Sequence, residues 1–305
     1  MTATPELLSL AVRTGLLAGG DVISGAAHVV PVPRTNGVHC VHRRGRAIAY
    51  CKQPGVASLL DGDDVVAAER FALARLHSLG LTPPLIPQGG STVVWTGVAT
   101  GSDLLTVSFG GTPPAHLAES LGRALARLHT APIDEQVPGA RPPWPLLSEP
   151  LPSMATHPAG HDRDAVLATW REPAIRAVVQ PLAKRWAGSN TWTHGDLSAA
   201  NVVVDDEGGV TFIDLESAGR GDPCWDVVTL EQTLTTLGLP AEPFREVYAA
   251  SGGPGGSYSP AWRTVRALVT AWQHAAQPDT DNQPIVEQLL VDARRNAVLA
   301  QEDSP

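Results

Sequence analysis

The sequence has few cysteines and no long apolar segment, and both absences limit what the protein can be. Its three cysteines, Cys40, Cys51 and Cys224, are an odd number without a CxxC spacing. This pattern argues against a disulfide framework or a zinc site and favours a reducing cytoplasm. No apolar run reaches the ~18 residues that a membrane span requires. The first apolar stretch, residues 7–17, contains Arg13 and follows an acidic residue, which is not typical of a signal peptide. We therefore expect a cytoplasmic protein with no membrane partner.

Lysine is almost absent, and the charge is unevenly distributed. The net charge of −9 argues against nucleic acid as a partner. Residues 1–103 carry 8 basic and 7 acidic side chains, a net of +1, whereas residues 104–305 carry 14 basic and 24 acidic side chains, a net of −10. Only two of the 22 basic residues, Lys52 and Lys184, are lysines. A lysine kept in a chain that otherwise uses arginine points to a specific role.

The first third of the chain has the pattern of a small sheet. Residues 5–17 have helical spacing, and they are followed by strand-like and helical segments up to residue 98. The predicted order is strands at 27–32, 37–42 and 46–52, a helix that is capped by residues 61–64 and runs to about residue 79, and strands at 85–88 and 92–98. This order predicts a mostly antiparallel sheet with one crossing helix over residues 1–98, and the short polar segment 99–103 is interpreted as a hinge.

The rest of the chain, residues 104–305, has mainly helical patterns. The clearest is the amphipathic segment 116–129. Further helices are predicted near 162–186, 226–237, 241–250, 260–276 and 284–300. The proline-rich segment 132–160 is expected to be irregular, and the glycines of 252–256 are interpreted as a surface loop. Together the two parts predict an α+β protein with a small sheet lobe and a larger, mainly helical lobe.

The segment that carries the chemistry lies between two helical regions. Residues 193–204 read THGDLSAANVVV, and residues 212–216 read FIDLE. The two apolar triplets predict a hairpin, with its turn in the Asp- and Gly-rich segment between them. A hairpin brings Asp196 and Asn201, which precede its first strand, close to Asp214, which ends its second strand.

Three converging oxygen-bearing side chains are what phosphoryl transfer needs. One carboxylate must orient the attacking hydroxyl and take its proton, and Asp196 suits that role. Hard oxygen ligands must hold Mg²⁺ against a triphosphate, and Asn201 and Asp214 suit that role. The interpretation predicts Mg²⁺ and a nucleoside triphosphate, ATP or GTP, as cofactor and co-substrate.

The string HGDLxxxN, followed by IDLE and then by GDPxWD at residues 221–226, resembles the aminoglycoside phosphotransferase and choline kinase family. The resemblance is dense over residues 193–226 and diffuse elsewhere. It implies a two-lobed, protein-kinase-like fold, in which residues 99–101 meet the nucleotide base through their backbone. It also implies that His194 and Asp226 brace the catalytic loop. Glu216 is left open between a further metal partner and a solvated charge.

The resemblance extends to the small lobe. Members of the family carry a phosphate-binding lysine on the third strand and a glutamate on the next helix that pairs with it, and Lys52 and Glu69 match these positions. The turn between the first two strands is expected to lie over the phosphates. It contains Arg34, Thr35 and Asn36, and it departs from the glycine-rich pattern of protein kinases.

Three functions remain open from the sequence. The first is a phosphotransferase that acts on a hydroxyl of a small molecule, and the acidic charge of residues 104–305 favours a cationic, aminoglycoside-like acceptor if it does not merely serve solubility. The second is a kinase of Ser or Thr in a peptide natural-product precursor, working with a lyase partner. The third is an inactive nucleotide-binding scaffold, which the presence of Lys52, Asp196, Asn201 and Asp214 disfavours.

Overall fold

The computed structural model describes residues 4–33, 36–87, 92–110, 116–156, 161–254, 259–277 and 282–303. Its N-terminal part consists of four helices and four strands. In chain order they are α1 (Thr4–Arg13), α2 (Gly19–Ile23), β1 (Ala27–Val32), β2 (Gly37–Arg43), β3 (Arg46–Gln53), α3 (Val56–Asp61), α4 (Val65–Leu76) and β4 (Val94–Thr96).

The four strands form one antiparallel sheet in the order β1-β2-β3-β4. Successive side chains of a strand point to opposite faces. On β3, Ala49 and Cys51 are fully buried in the core behind the sheet, against α1. Tyr50 and Lys52 therefore face the other way, into a cavity between the two parts of the molecule. This alternation is the reason that a lysine in an otherwise apolar strand lines that cavity.

The structure confirms one expectation for this region and corrects two. Asp64 caps α4 by accepting from the Ala67 N–H at 2.9 Å, so the helix predicted to follow the capping residues 61–64 is observed. Two short helices were not predicted, α2 and α3, and α3 ends where Gly62 adopts a left-handed φ of 75°. Of the strand predicted at 85–88, the described residues form an isolated bridge between Leu85 and Thr96.

The C-terminal part is mainly helical, with two small sheets. In chain order its elements are β5 (Ser102–Asp103), α5 (Leu104–Gly110), α6 (Leu117–His129), α7 (Pro152–Thr156), α8 (His161–Arg171), α9 (Pro173–Gly188), β6 (Thr191–Thr193), β7 (Val202–Val204), β8 (Val210–Phe212), β9 (Gly219–Gly221), α10 (Pro223–Thr236), α11 (Glu242–Ala250), α12 (Pro260–Ala275) and α13 (Gln283–Glu302). The order of the three-stranded sheet is β5-β7-β8, and β6 pairs with β9.

One further expectation is corrected here. The helix predicted at 162–186 is divided into α8 and α9, because Pro173 begins a new helix at its first position. Within the segment 99–103, which is predicted to be a hinge, Ser102 and Asp103 form β5, which pairs with β7. Gly101, at φ 111°, approaches this sheet so closely that a Cβ would collide with the carbonyl of Val204.

One core joins the two parts. Leu73 and Leu76 of α4 belong to the same buried cluster as Leu121 of α6 and Phe212 of β8. The Phe212 N–H also donates to the Leu81 carbonyl at 2.7 Å. None of the helices in the described part of the chain is both long and apolar enough to cross a membrane. The α+β class predicted from the sequence is confirmed.

Candidate active site

The β7–β8 hairpin brings the sequence-predicted oxygen ligands to one edge of the central cavity. Its turn is fixed by Asp205, whose Oδ1 accepts from the Glu207 and Gly209 N–H groups at 2.9 and 2.7 Å. Beyond the strands, the Ile213 N–H donates to the Asn201 carbonyl at 3.0 Å. Asn201 and Asp214 consequently line the same cavity.

Asp214 adopts an unusual backbone conformation at the end of β8. Its φ and ψ are 65° and 56°, in the left-handed region that non-glycine residues seldom occupy. Such strain is often stored at functional sites. In this conformation the Asp214 carboxylate contacts the Lys52 ammonium across the cavity.

Lys52 lies at the centre of three carboxylates. Its Nζ is 2.8 Å from Glu69 and 2.6 Å from Glu216, in addition to its contact with Asp214. Lys52 is 6% exposed. Burial lowers the pKa of Lys52, but the three carboxylates outweigh that effect and raise it, so the ammonium stays charged.

The three carboxylates outnumber the one cation between them. Oxygens of Glu69, Asp214 and Glu216 all lie within 4.8 Å of one another. Burial raises the pKa of Glu69, and it raises the pKa of Glu216 to about 7. The cluster of Lys52 with these three carboxylates, called the carboxylate cluster below, therefore has a surplus of negative charge.

Asn36 connects the β1–β2 turn to this cluster. Its Nδ2 donates to Glu216 at 2.5 Å, and its Oδ1 accepts from the Gly55 N–H and the Ser58 hydroxyl at 2.9 and 2.8 Å. Asn36 is 6% exposed. Arg34 and Thr35, which were predicted with it, lie outside the described residues. The structure thus places Glu216, which the sequence left open, against both Lys52 and Asn36.

The loop that carries Asp196 is held in place by the buried carboxylate of Asp226. Asp226 has no exposed surface, and it accepts from the N–H groups of His194 and Gly195 at 2.7 and 3.1 Å. The His194 Nε2 lies 2.9 Å from the Ile213 carbonyl, while its Nδ1 accepts from the Asp196 N–H at 3.3 Å. His194 therefore bridges the loop and the segment that joins β8 to Asp214.

Asp196 projects from this loop and stays exposed to solvent at the base of the cleft. The Asn201 amide donates to the Asp196 carbonyl at 2.9 Å and to its carboxylate at 3.3 Å. Desolvation by the surrounding protein raises the pKa of Asp196, and the negative charge of Asp214 adds to the effect. Asp196 and Asp214 thus form one electrostatically connected pair.

The central cavity has a volume of about 400 Å³. Apolar side chains line it from above and below, and polar groups lie at its inner end. Its apolar lining includes Val32, Val38, Val94, Val203 and Ile213, and its polar lining includes Lys52, Glu69, Asn201 and Asp214. The segment predicted to be a hinge contributes Ala99, Gly101, Ser102 and Asp103. A flat, apolar group with a polar tail fits this division.

Similarity to solved structures supports the fold. Choline kinase LicA from Streptococcus pneumoniae matches with a TM-score of 0.59 at 13% identity, over 94% of this chain and 99% of that one. Macrolide 2′-phosphotransferase MphH from Brachybacterium faecium matches with a TM-score of 0.55 at 19% identity, over 93% and 97% of the two chains. Spectinomycin phosphotransferase APH(9)-Ia, in complex with ADP and spectinomycin, matches with a TM-score of 0.50 at 13% identity, over 90% and 93%. No curated protein sequence matches this chain.

These neighbours share the two-lobed, kinase-like fold, which is thereby confirmed for this chain. The family model described as the phosphotransferase enzyme family matches residues 63–268. The matched region includes Glu69 and the whole 193–226 segment. The chain therefore belongs to the phosphotransferase enzyme family, and it is an enzyme that transfers a phosphoryl group to an alcohol acceptor.

Proposed function

We propose that the protein transfers the γ-phosphoryl group of ATP or GTP to a hydroxyl of a small molecule, with Mg²⁺ as cofactor. The observation that carries the proposal is the convergence of Lys52, Asn201 and Asp214 in one cavity, with Asp196 at its edge. The solved neighbours include a spectinomycin phosphotransferase with bound ADP and a choline kinase. They support a nucleotide co-substrate and a small-molecule acceptor.

The nucleotide occupies the central cavity. The base lies between the valines of the sheet and Val203 and Ile213 of the floor, and the backbone of residues 99–101 meets its edge. The phosphates extend to Lys52, whose ammonium is held in place by Glu69 at 2.8 Å. Asn36, which follows β1 and precedes β2, lies over them. In this arrangement residues 1–98 form the nucleotide lobe, 99–103 the hinge and 104–305 the lobe that carries the catalytic loop.

The carboxylate cluster fits a divalent cation. Glu69, Asp214 and Glu216 supply three carboxylates, and Lys52 supplies the one ammonium among them. Hard oxygen donors that outnumber the neighbouring cations are what Mg²⁺ prefers. Asn201 and Asp214 would hold the metal, which when bound neutralises charge on the phosphates. Glu216 lies close enough to act through the same cluster.

Asp196 is the general base. The acceptor oxygen forms a bond to the γ-phosphorus, the bond to the β-phosphate oxygen breaks, and the proton of the hydroxyl passes to the Asp196 carboxylate. The Asn201 amide, 3.3 Å from that carboxylate, fixes its orientation. A raised pKa suits the role, because a base works best when its pKa approaches the working pH.

The two other functions drawn from the sequence remain weaker alternatives. A peptide kinase with a lyase partner would use the same base and metal ligands, but the neighbours named above act on small molecules. An inactive scaffold does not explain why Lys52, Asp196, Asn201 and Asp214 are all present. A reducing cytoplasm suits the buried thiols of Cys40, Cys51 and Cys224, none of which forms a disulfide with another described residue.

A nucleotide-consumption screen tests the proposal. The purified chain is incubated with Mg²⁺ and ATP or GTP in separate reactions with aminoglycosides, amino alcohols, sugars, hydroxy acids and Ser/Thr peptides, and product masses are measured. The proposal predicts a product heavier by one phosphoryl group in a small-molecule reaction, and none in EDTA. Nucleotide use that never depends on an acceptor would contradict it.

A further inference from the structure

A second cavity lies in the helical lobe, between α10, α11, α12 and α13. It has a volume of about 420 Å³. Four arginines line it, which are Arg245, Arg263, Arg266 and Arg295. The acidic residues in its lining are Glu231 and Asp292. Four positive and two negative charges leave a surplus of two positive charges.

This surplus is the opposite of what the lobe as a whole predicts. Residues 104–305 have a net charge of −10 and contain 14 basic residues, four of which line this one cavity. The field that a ligand meets in a cleft depends on the nearby charges rather than on the net charge of the chain. The cavity is therefore a local basic site in an acidic lobe, and we call it the arginine cavity.

The arginines are held in place before any ligand binds. Glu231 is 4% exposed, and its two carboxylate oxygens accept from Arg245 at 3.2 Å and from Arg263 at 2.8 Å. Both arginine side chains keep 32% of their surface exposed. Arg245 also donates to the exposed Glu242 at 2.8 Å, so its five N–H donors are oriented by two carboxylates.

Arg266 connects the arginine cavity to the catalytic loop. Its Nε donates to Gln232 at 2.6 Å, and its guanidinium lies over the Trp225 ring, 5.8 Å from the ring centre. The other edge of that ring donates from Nε1 to the Gly195 carbonyl at 2.8 Å. Gly195 immediately precedes Asp196, so one side chain, Trp225, separates the cavity wall from the loop that carries the base.

Electrostatics agrees with this proximity. Burial lowers the pKa of Arg266, while the negative charge of Asp196 acts in the opposite direction. Arg266 and Asp196 thus attract one another as opposite charges. The base therefore lies within the field of the arginine cavity.

We infer that the arginine cavity holds the acceptor, and that the acceptor carries carboxylate or phosphate groups beside the hydroxyl that is phosphorylated. The inference rests on the proposed function and adds the substrate class. The planar guanidinium group of arginine can donate two parallel hydrogen bonds to the oxygens of a carboxylate or phosphate. A cationic acceptor would instead be repelled by four guanidinium groups. An anionic acceptor replaces the cationic acceptor that net charge alone favoured.

The test uses probes that differ in charge alone. Gluconate, sorbitol and glucamine are six-carbon polyols with a negative, a neutral and a positive end. Three serine peptides of equal length, flanked by glutamate, glutamine or lysine, form the second set. Thermal stabilisation of the full chain is measured with each probe at millimolar concentration, after the nucleotide cavity has been saturated with ADP and Mg²⁺.

The variants change the arginine cavity without emptying the buried pocket of Glu231. In Arg263→Gln/Arg295→Gln, Arg245 still pairs with Glu231. Arg295→Gln alone changes an exposed side chain and serves if the double variant does not fold. The control is Arg123→Gln. Arg123 is an exposed arginine on α6 that donates to the Ser120 hydroxyl at 3.3 Å.

Wild type and Arg123→Gln are expected to bind the anionic probes at least tenfold more tightly than the neutral and cationic ones. Loss of charge-assisted hydrogen bonds should weaken binding of the anionic probes by about tenfold in Arg263→Gln/Arg295→Gln. If the protein prefers gluconate, the acceptor is a small acid. If it prefers the glutamate peptide, the acceptor is an acidic peptide segment.

The inference is overturned if no anionic probe stabilises the wild type, if neutral or cationic probes bind as tightly, or if the variants keep the full preference. Stabilisation by ADP and Mg²⁺ alone is measured first. Its absence would count against the proposed function, whereas its presence without an anionic preference would overturn only the acceptor class.

Discussion

The lining residues of the two cavities near Asp196 carry surplus charges of opposite sign. In the central cavity one cation, Lys52, is surrounded by three carboxylates. In the arginine cavity one buried carboxylate, Glu231, is held by two arginines, and two more arginines line the same space. Each site has a surplus of one sign, and each surplus is complementary to a different ligand.

The difference shows that local charge, rather than the charge of a lobe, indicates what a cleft can bind. Asn201 contacts Asp196 and lines the first cavity, and Arg266 attracts Asp196 and lines the second. The base thus lies between a site that suits a metal-bound nucleotide and a site that suits an anionic alcohol. Four substitutions or conditions separate the contributions of the two sites.

The largest expected effect is a loss of turnover when Asp196, which lies between the two cavities, is replaced. Asp196→Asn should lower acceptor-dependent turnover by ~10²–10⁴-fold, because it removes the general base. Nucleotide binding should be nearly intact, since Asp196 is not part of the carboxylate cluster. Steady-state turnover and nucleotide titration measure the two effects. A variant that keeps more than a tenth of the wild-type rate would reject Asp196 as the base.

The second prediction concerns the central cavity alone. Nucleotide with Mg²⁺ at 100 times its Kd should stabilise the wild type by about 2.7 kcal/mol, and nucleotide with EDTA should stabilise it clearly less. Asp214→Asn should remove the part that depends on Mg²⁺. The matched control is Glu207→Gln, an exposed carboxylate on the hairpin turn. We expect nucleotide to stabilise Asp214→Asn equally in Mg²⁺ and in EDTA. If the variant kept the wild-type difference between these two conditions, Asp214 would be excluded as a metal ligand.

The third prediction concerns the loop that links the two sites. Asp226→Asn should lower the free energy of unfolding by about 1–3 kcal/mol, because an amide cannot accept from all the donors that the buried carboxylate now satisfies. Chemical denaturation measures the change. Asp205→Asn keeps the accepting oxygen of the hairpin turn and should differ from wild type by no more than about 0.5 kcal/mol. Equal stability of the two variants would contradict the bracing role.

The smallest effect concerns the arginine cavity. The KM of an anionic acceptor should rise severalfold between 0.1 and 1 M salt, because the Debye length falls from ~10 Å to ~3 Å. The rise should be smaller in Arg263→Gln/Arg295→Gln. Steady-state kinetics over this range measures both. A KM that is flat in salt for the wild type would contradict an electrostatic acceptor site.

The sequence predicted elements whose cause is local. The strands at β1, β2 and β3 and the β7–β8 hairpin were predicted almost to the residue, because their alternation and turn residues are local features. The cap at residues 61–64 was predicted, whereas the helix before it, α3, was missed. In α3, Val56 and Leu59 are each 64% exposed, so their apolar character did not reveal a buried face.

The two cavities differ in the same way. Asp196, Asn201 and Asp214 lie within one 19-residue stretch of sequence, so a motif could bring them together before the structure did. Their roles as base and metal ligands stay predictions. The arginine cavity is built from residues 245, 263, 266 and 295, which lie on three different helices. Only the packing of those helices brings them together, and no spacing in the sequence indicates it.

The mass of the acceptor after reaction tests the central claim most directly. Wild-type protein is incubated with a nucleoside triphosphate, Mg²⁺ and the charge-matched alcohols, and each alcohol is weighed by mass spectrometry. The account predicts that a carboxylate-bearing alcohol gains one phosphoryl group, that EDTA prevents the gain, and that Asp196→Asn nearly abolishes it. Phosphorylation confined to a cationic alcohol, or undiminished in Asp196→Asn, would contradict it.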